Sequence, residues 1–340
     1  MLLLLVLIPV TYLLSASGKV RVNEEALNLF APLPAVMSSP DNPVTDAKVT
    51  LGRILYYDPR LSASQKISCN SCHPLDAYGA ESKPVSTGHK QQKGTRNAPT
   101  VYNAAGHFVQ FWDGRAPTVE EQAKGPITNP VEMAMPSHAA AVQVIKSMPD
   151  YVALFQTAFP KDKDPITYNN MALAIGAFER ELVTPSRWDA FLQGDGSALT
   201  DAEKSGFNTF AATGCQWCHY GPYLGGASYQ KLGVVKPWPD QTDLGLYQVT
   251  KEGMDKMVFK VPSLRNIKKT GPYFHDGSVS TLDQAIRNMA VHQRGLTLTD
   301  AQVKSIEIWM DSLTGRVPMN YIRRPELPQS TPQTPRPSGE

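Results

Sequence analysis

Apolar positions along the chain recur mostly at helical spacing. Met171, Ile175, Phe178 and Leu182 fall at i, i+4, i+7 and i+11, which places them on one face of a helix. Val303, Ile306, Met310 and Leu313 repeat the stripe near the end, and Ala47, Leu51, Ile54 and Leu55 form an earlier one. Thr200-x-x-Glu203 and Thr299-x-x-Gln302 read as capping boxes that start two helices, and Gly315 as a stop after the last stripe. No long alternating strand pattern is present. Gly- and Pro-rich connections, notably 74–100 and 220–250, separate the helical stretches; loops of that length are tolerable when they wrap a large rigid group. The pattern predicts a mainly α chain of two helical domains, 20–183 and 184–324, joined near 184–200.

The two ends depart from this pattern. Leu2 to Leu14 is apolar and short, and Ser15, Ala16 and Ser17 follow it, so 1–17 reads as a secretory signal peptide. It lacks a positively charged start, and the alternative is an uncleaved membrane anchor; Pro9 and the shortness of the run weigh against a full span. The tail 325–340, rich in Pro, Ser, Thr and Gln, is expected to be disordered. A net charge of +2 argues neither for nucleic acid nor for an anionic membrane surface as partner.

The chemistry comes from the cysteines. All four stand in two Cys-x-x-Cys-His motifs, Cys69-Asn70-Ser71-Cys72-His73 and Cys215-Gln216-Trp217-Cys218-His219, one in each half of the chain. This is the attachment signature of c-type haem, in which two thiols form thioethers to the macrocycle and the adjoining His becomes the proximal iron ligand. A zinc site also uses Cys-x-x-Cys pairs, but rarely with His directly after both. A thioredoxin-like motif expects one pair in a βαβ context. Each domain is therefore expected to carry one covalent haem c, through His73 and His219. Trp217 is expected to pack beside the second. Such haems are usually attached outside the cytoplasm, in agreement with export.

Function then turns on the sixth ligands, because an iron held by two strong protein ligands carries electrons whereas an open one can bind and break a small molecule. His89 lies in the polar stretch 87–94, long enough to fold over the first haem, although a loop His alone is more often a solvated side chain. Met254, Met257 and Met289 are candidates at the second, where a Met ligand would raise the potential; each alone reads more commonly as a core filler.

The segments between the motifs resemble the bacterial di-haem cytochrome c peroxidases. Phe111-Trp112-Asp113-Gly114-Arg115, Glu121-Gln122-Ala123-Lys124-Gly125-Pro126, Asn129-Pro130-Val131-Glu132-Met133, Val261-Pro262-Ser263-Leu264-Arg265-Asn266 and Gly271-Pro272-Tyr273-Phe274-His275-Asp276-Gly277 carry the likeness, which runs from about 45 to 315. It implies a periplasmic enzyme that reduces hydrogen peroxide to water with electrons from a small cytochrome c or cupredoxin, and a homodimer. The membrane would be involved only if the N-terminal segment stays uncleaved. The haem on Cys215, Cys218 and His219 would be the high-potential, electron-receiving one with Met289 as distal ligand. The haem on Cys69, Cys72 and His73 would be peroxidatic, with His89 as a removable distal ligand. Glu132 matches the family's acid–base residue, Gln122 a polar neighbour in the pocket, and Trp112 the aromatic between the haems. Asn97, Thr270 and Pro272 match a calcium site.

Two other readings remain at this stage. A pure electron carrier would hold both irons six-coordinate in every redox state. Some members of the wider superfamily use a Tyr on the second haem and oxidise a protein substrate; the matching position here is Met289.

Overall fold

The computed structural model describes residues 20–338, so the segment read as a signal peptide lies outside the described residues. The chain is mainly helical, and its helices gather around two hydrophobic cores. Around the first, Asp46–Tyr57 packs on Tyr168–Glu179, with Val119–Thr128 alongside. Each of these helices starts where a threonine side chain accepts from a backbone N–H three residues on: Thr45 from Lys48, Thr118 from Glu121 and Thr167 from Asn170. Leu51, Leu55, Met171, Ile175 and Phe178, the predicted stripes, are shut away from solvent. Each contributes roughly 1.5–3 kcal/mol by that burial.

The second core repeats the arrangement. Asp201–Ala212 packs on Asp300–Asp311, both begun by the capping boxes read from sequence. Trp188, Phe207, Phe210 and Trp309 interlock between them; the rings of Trp188 and Trp309 meet edge to face at 5.4 Å. In both halves the paired helices touch backbone to backbone through a glycine. A Cβ on Gly52 would lie 1.9 Å from the carbonyl oxygen of Ala174, and one on Gly206 2.1 Å from that of Ser305. The repeat expected from the motifs is thus one of helix packing.

Some local readings change. Leu182 and Leu313 lie beyond the helix ends at Glu179 and Asp311, yet both are fully buried. Gly315 does not end a helix. Its amide donates to Asn266 Oδ1 at 2.8 Å, and a Cβ there would collide with the carbonyl of Thr184. Two three-residue strands, Tyr229–Lys231 and Val258–Lys260, pair antiparallel with Gln230 opposite Phe259.

The predicted division into domains needs correction at its two ends, while the junction near 184–200 is a packed one. Thr184 is buried and bonded to Asn103 and Asn266, and Trp188 sits in the second core. Residues 20–30, read as the start of the first domain, belong to the second core, where Ala26 and Phe30 pack and Asn23 N–H donates to Asn208 Oδ1 at 2.7 Å. Conversely, the chain after 316 returns to the first core, stacking Tyr321 on Phe178 at 5.1 Å and burying Ile322. The segment 325–338, expected to be disordered, is laid along this half. Arg60 Nη1 donates to the Pro328 carbonyl at 2.7 Å, Thr331 Oγ1 to that of Ser147 at 2.9 Å, and Ser338 N–H to that of Ala63 at 2.9 Å. Composition misses this because the partners are backbone carbonyls, which every residue has.

Candidate functional site

A cavity of about 780 Å³ runs through the molecule, and all four motif cysteines, His73 and His219 line it. Tyr56, Ile175, Leu282, Ile286 and Met310 add apolar wall, which suits flat hydrophobic macrocycles. Each motif histidine is prepared as a ligand. His73 Nδ1 faces the Gly79 carbonyl at 3.3 Å, and His219 Nδ1 that of Leu224 at 3.1 Å. A carbonyl only accepts, so Nδ1 carries the proton and Nε2 keeps its lone pair for a metal. Burial lowers the pKa of both rings, which favours the neutral, ligating form.

The cysteine environment separates haem attachment from zinc. The two pairs lie in different halves, and among the described residues no group of three or more His, Cys, Asp or Glu is placed to hold an ion. Burial pushes the Cys69 thiol up to about 12 and raises Cys72 and Cys215 as well, as expected of thiols set in an apolar wall. The residues present fit two covalently held haems.

On the first motif's side, Gln122, Glu132 and Arg115 share the cavity wall. Gln122 comes from the Val119–Thr128 helix, and Glu132 from the turn after it. Glu132 Oε1 accepts from Asn129 Nδ2 at 2.8 Å. Burial raises its carboxyl pKa, with Arg115 and the Asn129 bond opposing. Arg115 is itself fixed, stacked 3.4 Å over Phe111 and paired with Asp113 at 2.9 Å. The 86–94 loop closes against this turn. His89 N–H donates to the Glu132 carbonyl at 2.8 Å, Gln92 Nε2 to that of Pro130 at 3.1 Å, and Gly88 leaves no room for a Cβ beside Val131. Ser86, Gly88, Lys93 and Gly94 line the cavity; His89 is buried next to them, with no hydrogen-bond partner for its Nδ1 among the described residues.

Trp112 stands between the two halves. Its Nε1 donates to the Asn97 carbonyl at 3.0 Å, its own carbonyl accepts from Lys260 N–H at 2.8 Å, and its ring packs in a small cluster with Met289. Met289, on the Leu282–Arg294 helix, lines the cavity. Met254 is 91% exposed and Met257 is buried in the Phe259 cluster; of the three candidates, Met289 is the one that lines the cavity. Trp217, expected beside the second haem, is 64% exposed and is not part of the cavity wall. Asn97, Thr270 and Pro272 share the cavity wall. Asn97 Nδ2 donates to the carbonyls of Lys83 and Pro84, which leaves Oδ1 as a neutral hard donor.

A sequence profile of the di-haem cytochrome c peroxidases matches residues 46–197. The cytochrome c551 peroxidase of Pseudomonas aeruginosa is 44% identical over 93% of this chain and 92% of its own length. That of Nitrosomonas europaea is 46% identical over 84% and 85% respectively. The chain belongs to the di-haem cytochrome c peroxidase family. Among solved structures, a MauG-like protein associated with microbial copper homeostasis superposes with a TM-score of 0.74 at 28% identity, covering 90% of this chain and 97% of that one. For a di-haem peroxidase two haem groups are required, and both attachment motifs here open onto one cavity. Among the described residues no helix is long and apolar enough to cross a membrane.

Sequence reasoning missed part of this peroxidase site. His107, Glu179 and Lys260 also line the cavity, whereas His275, which lines it with its ring stacked 4.3 Å from Phe259, already stood within the 271–277 motif. Glu179 directly follows the apolar Phe178 at a helix end, and Lys260 interrupts the run Val258 to Val261. A charged residue within an apolar run was the available signal.

Proposed function

We propose that this peroxidase works in the periplasm and reduces hydrogen peroxide to water with electrons from a small donor protein, a cytochrome c or a cupredoxin. Electrons enter on the side of Cys215, Cys218 and His219, where Met289 completes the ligand set, and pass by Trp112 to the side of Cys69, Cys72 and His73. Haem, when bound there, supplies the one-electron equivalents and the metal position where peroxide is taken up. The rest is done by the chain. Glu132 accepts a proton from the inner peroxide oxygen and returns it to the outer one, and its burial suits it to both directions. Gln122 orients the oxidant, and Arg115 limits how far the Glu132 carboxyl is raised. His89 blocks the peroxidatic side until the 86–94 loop moves. Calcium at Asn97, Thr270 and Pro272 ties the segments on either side of Trp112. The functional unit is a homodimer.

The observation that carries this reading is the shared wall: a desolvated carboxyl and an amide stand in the same cavity as the first attachment motif. The test is turnover. Purified protein with both haems, given peroxide and a reduced donor protein, should oxidise the donor. No turnover in either the oxidised or the half-reduced form overturns the proposal.

A further inference from the structure

Lys260 ends the second short strand with 6% of its surface exposed. A buried ammonium normally faces a carboxylate. The ion pairs of the described residues include no partner for Lys260; its Nζ instead lies 3.3 Å from Nδ1 of His107. An ammonium only donates, so His107 Nδ1 accepts and the ring proton sits on Nε2. That Nε2 is itself buried with no partner among the described residues. Burial alone pulls the Lys260 pKa down to about 8 and holds His107 well below its ordinary value, with Lys260 adding to the latter. Beyond the bond between them, the remaining Lys260 N–H groups and the His107 Nε2–H have no recorded acceptor among the described residues.

Their place in the fold narrows what is missing. Both side chains line the cavity that the attachment motifs share. The loop after the second motif packs directly on them. Gly226 has no room for a Cβ against the His107 ring, its N–H donates to the Val261 carbonyl at 2.7 Å, and Leu224 two residues earlier holds His219. On the other side, Lys260 N–H is bonded to Trp112. The pair therefore sits at the edge of the second centre that faces Trp112.

We propose that Lys260 and His107 form a socket for a carboxylate of the macrocycle attached at Cys215 and Cys218, a haem propionate, and that the Lys260 charge helps to set the potential of that centre. This rests on the haem assignment above. The ammonium favours the extra electron on the metal and makes the second centre the better electron acceptor. His107, held in one tautomer by Lys260, gives the carboxylate its second donor.

The test uses the holoprotein in three forms: wild type, Lys260→Met and Lys260→Arg. Lys260→Met should lower the midpoint of the second centre, with a roughly tenfold shift toward the oxidised form, equivalent to 59 mV for one electron. Lys260→Arg should stay near wild type, and the propionate bending band in resonance Raman should shift in Lys260→Met alone. Haem content and peroxide turnover of the wild type are measured alongside, so a failure of the peroxidase reading is seen separately. An unchanged second-centre midpoint in Lys260→Met with both haems attached overturns the proposal. So does an equal shift in Lys260→Arg, which would make packing rather than charge the cause.

Discussion

A carboxyl that must take a proton and give it back works best when its affinity for protons approaches ambient pH. Glu132 is moved that way by burial and restrained by Arg115 and Asn129. Glu132→Ala should leave both haems attached and cut peroxide turnover by roughly 10²–10⁴-fold, the usual scale for such groups; steady-state kinetics with absorbance-matched haem content checks this. Glu179 is a different case. Burial pushes its carboxyl from 4.5 up to about 8, with Glu120 adding to the rise and Arg180 opposing it. The native state therefore keeps a proton that the unfolded chain gives up. Stability should fall as pH rises from about 4.5 to 8 and change no further above that from this group. In urea titrations across that window, Glu179→Gln should lose this decline; parallel curves for wild type and variant would refute it. At this scale the sequence was legible where spacing itself is chemistry, as in the two attachment motifs. Glu132 and Gln122 stood out only through the motifs around them. Lys260 and His107 did not stand out, because their relation joins a strand end to a distant loop.

Elements were legible where a helix is amphipathic and capped by its own side chains. The stripes of Leu51, Ile175 and Ile306 and the boxes at Thr200 and Thr299 needed no tertiary information. Contacts made at a distance escaped. Gly52 and Gly206 look like weak points in helices until their neighbours' backbones are in place. The 86–94 loop is similar: its polar sequence suggests a solvated connection, yet the His89 N–H and the Gln92 side chain fasten it to carbonyls of the Glu132 turn. Those bonds do not use the His89 side chain, so His89→Gly should keep the loop closed while removing the block. The oxidised variant should bind cyanide or azide at once, read by its visible spectrum. A variant that still requires prior reduction would assign the block to another group.

Across the whole molecule the chain ends exchange halves: the beginning completes the second core and the end wraps the first. Hydrophobic spacing could not reveal this, because the tail is held mainly by hydrogen bonds from Arg60, Thr331 and Ser338. Removing 325–340 should lower stability by about 1.5–4.5 kcal/mol, at roughly 0.5–1.5 kcal/mol for each of these three bonds. The loss should appear in denaturant unfolding of the first half, and unaltered unfolding would show that the tail adds nothing. Between the halves, Arg96 joins Asp113 to Asp243 and so ties together the segments that meet beside Trp112. In the proposed mechanism the two centres are unequal: one is ligated by His219 and Met289, and the other opens when the His89 loop moves. Stepwise reductive titration followed by visible and electron paramagnetic resonance spectra tests this most directly. Two separate one-electron steps are predicted, the first at the Met289 centre, after which the other centre becomes high-spin and accepts a ligand. Two indistinguishable centres that stay six-coordinate at every potential, or a single haem per chain, would contradict it.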